Sequence, residues 1–291
     1  MPGTTLLNPD QLAAHTFDVL RANLPQDQHG DAVFAHLIFL HVHRRLPTDG
    51  MLVLDVLHRL KTSGALQDPL RVMTTDKELV KDFIRARVGE QYNVPTLQVL
   101  RSAAALDDYA FPEAACIKPT HMSGEVQFSR PGAPPDRAQI RSWFGRSHYL
   151  RLREANYRTL VPKVIVEPLV FGGADLLDYK VFCCNGVPRV IQVDFDRKQF
   201  HTRRYFTAQW QQLDLTWEYQ TWPGRLERPA NLAEMLAVAA ALAAPFNLVR
   251  VDLYSDGTRC CVGELTHCPN GALGRFGSPA EEEHMSRLLF G

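Results

Sequence analysis

The sequence predicts an α+β protein whose sheets are mainly antiparallel. Three observations point there. The first 65 residues carry apolar positions at helical spacing, the chain after Thr74 is rich in short strand patterns, and only isolated helical stretches interrupt those strands.

Taken in order, "DAVFAHLIFLHVHRRL" and "MLVLDVLHRLKTSG" read as helices, with Gly64 as a stop. His36, His41, His43 and His58 line their faces, and no carboxylate or Cys recurs with them as a metal set would need. "TTDKELVKDFIRARVG" is a helix capped by Thr75 or Asp76, with Glu78 early and Arg85 and Arg87 late. "VPTLQVL" and "AACIKPT" follow as strands, the second broken at Pro119. Residues 129–142, "SRPGAPPDRAQIRS", are Pro-rich and basic and read as a mobile surface loop. Strands are expected at "KVIVEPLV", "DYKVFCCNG", "PRVIQVDFD", "LVRVDLY" and "RCCVGEL", with a helix at "NLAEMLAVAAALAAPF" before the last two. The expected division is a helical region over 1–72, one α+β subdomain over 73–165 and a second over 166–291.

Composition sets the outer bounds. At 291 residues, 45% apolar and 22% charged, the chain can bury a sizeable core. Lys plus Arg and Asp plus Glu both total 32, which gives no bulk reason to bind nucleic acid or an anionic membrane. No apolar run is long enough for a membrane span and no leader pattern opens the chain, so a cytoplasmic monomer or homodimer is expected. Cys116, Cys183, Cys184, Cys260, Cys261 and Cys268 show no CxxC spacing and read as small buried hydrophobes. A zinc site of Cys260, Cys261, His267 and Cys268 is disfavoured, because neighbours on a strand point to opposite faces.

Three stretches carry candidate chemistry. In "VRVDLYSDGTRCCVGELTHCPN" Asp252 and Glu264 interrupt apolar runs, where an ionised carboxylate needs a partner or a metal. A two-residue Asp256-Gly257 turn would put them on opposite faces; a three-residue loop from Ser255 to Gly257 would put them on one face, several residues out of register. A bulge, or a cluster of metals and phosphates, would have to close that gap. The alternative is that Asp252 pairs with Arg250 or Arg259 on a solvated face. In "CIKPTHMSGEV" Lys118 ends a strand before a small-residue loop with Gly124, which suits nucleotide phosphates as well as an ordinary loop. In "KVIVEPLV" Glu167 ends an apolar strand, where it is either a solvent-facing acid or a contact for a base amine.

The order of Lys77, Lys118, Glu167, Asp178 to Lys180, Arg250 to Asp252 and Glu264 resembles the ATP-grasp superfamily. The blocks "TDKELVKDFI", "IKPTHMSG", "VIVEPL", "DYKVFCCNGVP", "IQVDFDR…HTRRYF" and "VRVDLYSDG…GELT" are similar to its TupA-like branch, over about residues 68 to 275. The resemblance implies an ATP-grasp fold, two antiparallel-sheet subdomains gripping ATP. It also implies a ligase that uses ATP and Mg²⁺ (or Mn²⁺) to form an amide-type bond through an acyl phosphate. The acceptor would be a small molecule, peptide or surface glycan. A kinase acting on a sugar hydroxyl with the same site is the alternative.

On that resemblance Lys77, Lys118 and Lys180 would meet phosphates, under a lid formed by the loop with Ser123 and Gly124. Glu167, Pro168 and Leu169 would line adenine, and Asp175 would meet the ribose. Asp252, Glu264 and Thr266 would hold metal, and Arg250 would face the oxyanion. Arg197, His201, Arg203 and Arg204 would meet an anionic acceptor, with His201 as a base. Two departures stand out: Thr266 where many relatives carry Asn, and His121-Met122-Ser123 in a loop that is usually richer in glycine.

Overall fold

Helices open the chain, as the apolar spacing requires. The computed structural model describes residues 9–172, 177–195 and 200–291; Asp175 and Arg197 lie outside them. The helices α1 (Pro9–Asn23), α2 (Gln28–His43) and α3 (Val53–Thr62) come first. Asp27 caps α2 by accepting the Gly30 N–H at 2.9 Å, and Gly64 follows α3 at φ 81, a left-handed turn that any Cβ would strain.

A helix that the pattern hid, α4 (Pro69–Thr75), is capped by Asp68 on the N–H groups of Leu70 and Arg71. The helix expected from Thr75 therefore starts late. Asp76 caps a turn through the N–H groups of Glu78 and Leu79, and regular α-helix, α5, runs only over Val80–Arg87.

Four strands form the first sheet: β1 (Gln98–Leu100), β2 (Ala115–Pro119), β3 (Gln127–Ser129) and β4 (Val164–Pro168), in the order β1-β4-β2-β3. All its pairs are antiparallel. Because β4 belongs to this sheet, the chain leaves it after Pro168 rather than at residue 166. The loop expected over 129–142 is half wrong. Asp136 takes the N–H groups of Ala138 and Gln139 and starts α6 (Arg137–Trp143), whose Ile140 and Trp143 are wholly buried against Ile117 and Val166. Only two apolar residues at i,i+3 signal that helix, and the prolines before it masked them.

The second sheet has six strands in the order β10-β9-β5-β6-β7-β8, again all antiparallel. These are β5 (Leu177–Cys184), β6 (Val187–Phe195), β7 (Thr202–Thr207), β8 (Gln212–Leu213), β9 (Leu248–Ser255) and β10 (Cys260–Thr266). Strand alternation divides it. One face, with Val181, Ile191, Val251 and Leu253, packs on Met235, Ala239 and Leu242 of α8 (Leu232–Ala243). The other face is apolar at one end, where Phe182, Val190 and Tyr205 meet α3 and α9 (Pro279–Phe290), and charged along the rest. Cys260 packs on the α8 side, whereas Cys261 pairs with Tyr254 across the strand.

The N-terminal helices are tied to this core through Arg153, which follows α7 (Tyr149–Leu152) and is 0% exposed. It donates to the carbonyls of Arg21, Leu24 and Pro25 and to the Asp31 carboxylate at 3.3 Å.

Candidate active site

The charged face of the second sheet is built by register. Asp252 of β9 is the cross-strand partner of both Lys180 of β5 and Glu264 of β10, and Arg250 lies opposite Thr266. The connection after Ser255 is four residues, Asp256 to Arg259, because Ser255 pairs with Cys260. Left regular, that register would set Gly263 against Asp252 and turn Glu264 to the α8 side. A bulge between Val262 and Glu264 absorbs the extra residue and brings Glu264 directly opposite Asp252. The bulge position needs glycine: a Cβ on Gly263 would sit 2.8 Å from the Tyr254 ring. The sequence left a gap of several residues to be closed; the gap is one residue, and the bulge closes it.

Asp252 is paired with Arg250, as the alternative reading expected, but on a buried face rather than a solvated one. Arg250 donates to both Asp252 oxygens at 2.7 Å, and Lys180 reaches Asp252 at 3.1 Å, Asp178 at closer range and Asp194 at 3.8 Å. Arg259 pairs instead with Asp256 in the turn. Thr266 donates to Glu264 at 2.9 Å and accepts from Arg250 at 3.0 Å, and Lys77 lies 3.4 Å from Glu264. Burial alone would raise the Glu264 carboxyl, yet Lys77, Arg250 and Lys180 outweigh it and bring it down to about 2. Burial lowers Lys180, and Asp178 and Asp252 more than restore it, so its ammonium is held above its usual range.

A stability prediction follows from Glu264. Its folded carboxyl lies below its unfolded value of 4.5, so it contributes stability that is full above that value and lost as pH falls toward 2. The contribution is on the order of 3 kcal/mol. Urea midpoints of wild type and Glu264→Gln should converge as pH is lowered through that window; parallel curves would refute the assignment.

The opposing wall comes from the first sheet. Lys118 of β2 and Glu167 of β4 meet at 3.0 Å, and Lys81 takes the other Glu167 oxygen at 2.6 Å. Burial raises Glu167, but Lys118 and Lys81 hold it ionised below its usual range. Lys118 also lies 5.6 Å from the Tyr254 ring, and Lys77 donates to the Met122 carbonyl at 2.6 Å, so both lysines bridge the two sheets. Pro168 and Leu169 leave β4 half-buried beside them.

The loop after β2 is fastened more than its sequence suggests. The His121 ring is within 3.1 Å and 3.2 Å of the Trp143 and Arg146 carbonyls, Thr120 reaches Asp76, and the Ser123 N–H donates to His148 at 3.4 Å. His121 thus anchors the loop. Gly124 sits at φ 82 with open space around it.

The cationic segment does not converge. Arg203 faces the charged side and is already balanced by Asp194 at 2.8 Å and Glu218 at 3.2 Å, while His201 lies 3.4 Å from Asp194. Arg204 pairs with Val193 and turns to the other side. Sequence reasoning missed Lys81, although its i+4 spacing from Lys77 placed both on one side of the turn and helix. It also missed Asp194 and Tyr254, which only strand register brings to this face.

Among the described residues no cluster of three or more His, Cys, Asp or Glu could hold a metal unaided. Magnesium carried by a nucleotide needs only one or two carboxylates beside the phosphates, and Asp252 with Glu264 meets that requirement with hard oxygen donors.

No curated protein matches the chain. Among solved structures, an L-amino acid ligase from Bacillus licheniformis overlaps at TM-score 0.43 and 14% identity, over 89% of this chain and 56% of that one. A D-alanine–D-alanine ligase from Bacillus anthracis gives 0.41 and 14%, over 90% and 84%. The ATP-grasp ligase PsnB with minimal precursor, Mg and ADP gives 0.36 and 14%, over 75% and 58%. The chain thus spans little more than half of the first of these. A family model gives the assignment: it matches residues 56–285, from α3 through both sheets to α9, and the chain belongs to the TupA-like ATP-grasp family.

Proposed function

We propose that this protein is an ATP- and Mg²⁺-dependent ligase that joins a carboxylate to an amine through an acyl phosphate. The opposition of Asp252 and Glu264 on a buried face with Lys180 and Arg250 carries this reading. Asp252 and Glu264, with Thr266 beside them, would hold the nucleotide's Mg²⁺ (or Mn²⁺), which supplies neutralising charge at the β- and γ-phosphates. Lys77, Lys118 and Lys180 would contact phosphates, with Ser123 and Gly124 above. Glu167, Pro168 and Leu169 would frame the base.

A substrate carboxylate oxygen then attacks the γ-phosphorus and ADP leaves with the bridging oxygen. The amine lone pair attacks the acyl carbon, the C–N bond forms, and phosphate leaves with the C–O electron pair. Arg250, held by Asp252, presents its cation to the oxygen that gains charge in that second step. His201 and Arg203 lie farther along the same sheet. Because Asp194 and Glu218 already balance Arg203, this end suits a neutral or amine-bearing acceptor better than a second anion. An amino acid, peptide or amino-bearing glycan fits that description, and a sugar acid fits as the carboxylate that is activated.

Hydroxylamine trapping tests the reading. With ATP, Mg²⁺ and a panel of amino acids and sugar acids, a ligase yields acyl hydroxamate and ADP. A kinase yields a stable phosphate ester and no hydroxamate, and that outcome would overturn the proposal.

A further inference from the structure

Glu154 is an anomaly among the buried acids. Every other buried Asp or Glu among the described residues lies within ion-pairing distance of a Lys or Arg nitrogen. Glu154 is 6% exposed, yet among the described residues it has no such partner and its carboxylate makes no hydrogen bond. Its oxygens are also absent from the fully enclosed unpartnered atoms, so they retain an opening. A buried carboxylate without partners is costly unless something else is meant to meet it.

The backbone beneath it is rigid. Arg153 before it is locked by its carbonyl and Asp31 contacts, and Asn156 after it donates to Thr75 at 2.9 Å. The carboxylate is aimed at the chain just beyond the carboxylate strand β10: its Oε1 is 3.4 Å from where a Cβ on Gly271 would stand. Gly271 lies in a run with Asn270 and Ala272 in which all three have positive φ. Lys61 of α3, itself 3% exposed, fastens that run by donating to the Gly271 carbonyl at 3.2 Å.

On the ligase reading above, we propose that Glu154 is the catalytic base for the acceptor. It binds the ammonium of the amine nucleophile and takes one proton, leaving a neutral amine whose lone pair attacks the acyl phosphate. The charged groups around it are Lys61 from α3, Arg151 from α7 and Glu264 from β10, with Tyr157 and Cys268 beside them. Burial raises the Glu154 carboxyl to about 7, with Lys61 opposing the rise and Glu264 adding to it, which suits proton exchange near neutrality. Lys61 is a positioning residue that holds the Gly271 turn and tunes this carboxyl.

The test separates two products in one assay, with amino acids and sugar acids as substrates and hydroxylamine as a nucleophile that is neutral at pH 7 and needs no base. Glu154→Gln should cut amide product by about 100-fold relative to hydroxamate. Lys61→Met keeps Glu154 but removes the opposing charge, so the rise of amide formation with pH should move to higher pH while hydroxamate formation keeps its profile. Equal loss of both products in Glu154→Gln, or an unmoved pH profile in Lys61→Met, would overturn the base role. If wild type forms no hydroxamate at all, the ligase reading falls, and this inference with it.

Discussion

Asp252→Asn should lose the Mg²⁺-dependent part of nucleotide binding and lower ATP turnover about 10³-fold, a rise of roughly 4 kcal/mol in the barrier. The reason is position as much as charge. Asp252 is the one carboxylate that pairs across strands with both Lys180 and Glu264 and also accepts the two-pronged Arg250 bond. An amide in its place keeps the shape but leaves Arg250 and Lys180 short of negative charge, so melting temperature should also fall. Thermal shifts with ATP and Mg²⁺ against ATP and EDTA separate the two effects. In wild type Mg²⁺ should add stabilisation, and in the variant it should add none. A variant that kept Mg²⁺-dependent stabilisation and turnover within tenfold of wild type would remove Asp252 from the metal site.

The second large effect is on stability and does not depend on the reaction. Arg153→Met should destabilise the protein by about 3–5 kcal/mol, because Asp31 loses its 3.3 Å partner and three helix-end carbonyls lose their donor. Burial already raises the Asp31 carboxyl despite help from Tyr149, Arg153 and Arg158, so losing Arg153 leaves a buried anion held only by the Tyr149 hydroxyl at 2.6 Å and Arg158 at 3.6 Å. An acid whose folded value is raised weakens the fold as pH rises through the window above its unfolded value of 3.8. The penalty of Arg153→Met should therefore be smaller near pH 4, where Asp31 can take a proton, than at pH 7. Urea titrations at the two pH values check this, and a penalty independent of pH would assign the loss to packing alone.

These predictions rest on features of unequal legibility. Lys118, Glu167, Asp252 and Glu264 could be picked out because charged residues at the ends or middles of apolar strands are unusual, and Lys77 joined them through a specific order along the chain. Glu154 and Lys61 could not be picked out. A glutamate near Arg151 and Arg153 looks like a surface residue, and a lysine on an amphipathic helix looks solvated; only their burial makes them costly. The helix over Arg137–Trp143 was missed for the opposite reason, since its two core residues are outnumbered by polar ones.

By itself the sequence determined the α+β class, the antiparallel strands and the family, since period-two alternation and the order of short blocks are local properties that survive without neighbours. Tertiary structure decided which charges meet. Whether Glu264 faces Asp252 or the apolar side turns on one extra residue in β10, and glycine takes that residue because Tyr254 closes the space above it. A strand's side-chain period is two, so a slip of one reverses every face, and no local pattern records where a bulge will fall.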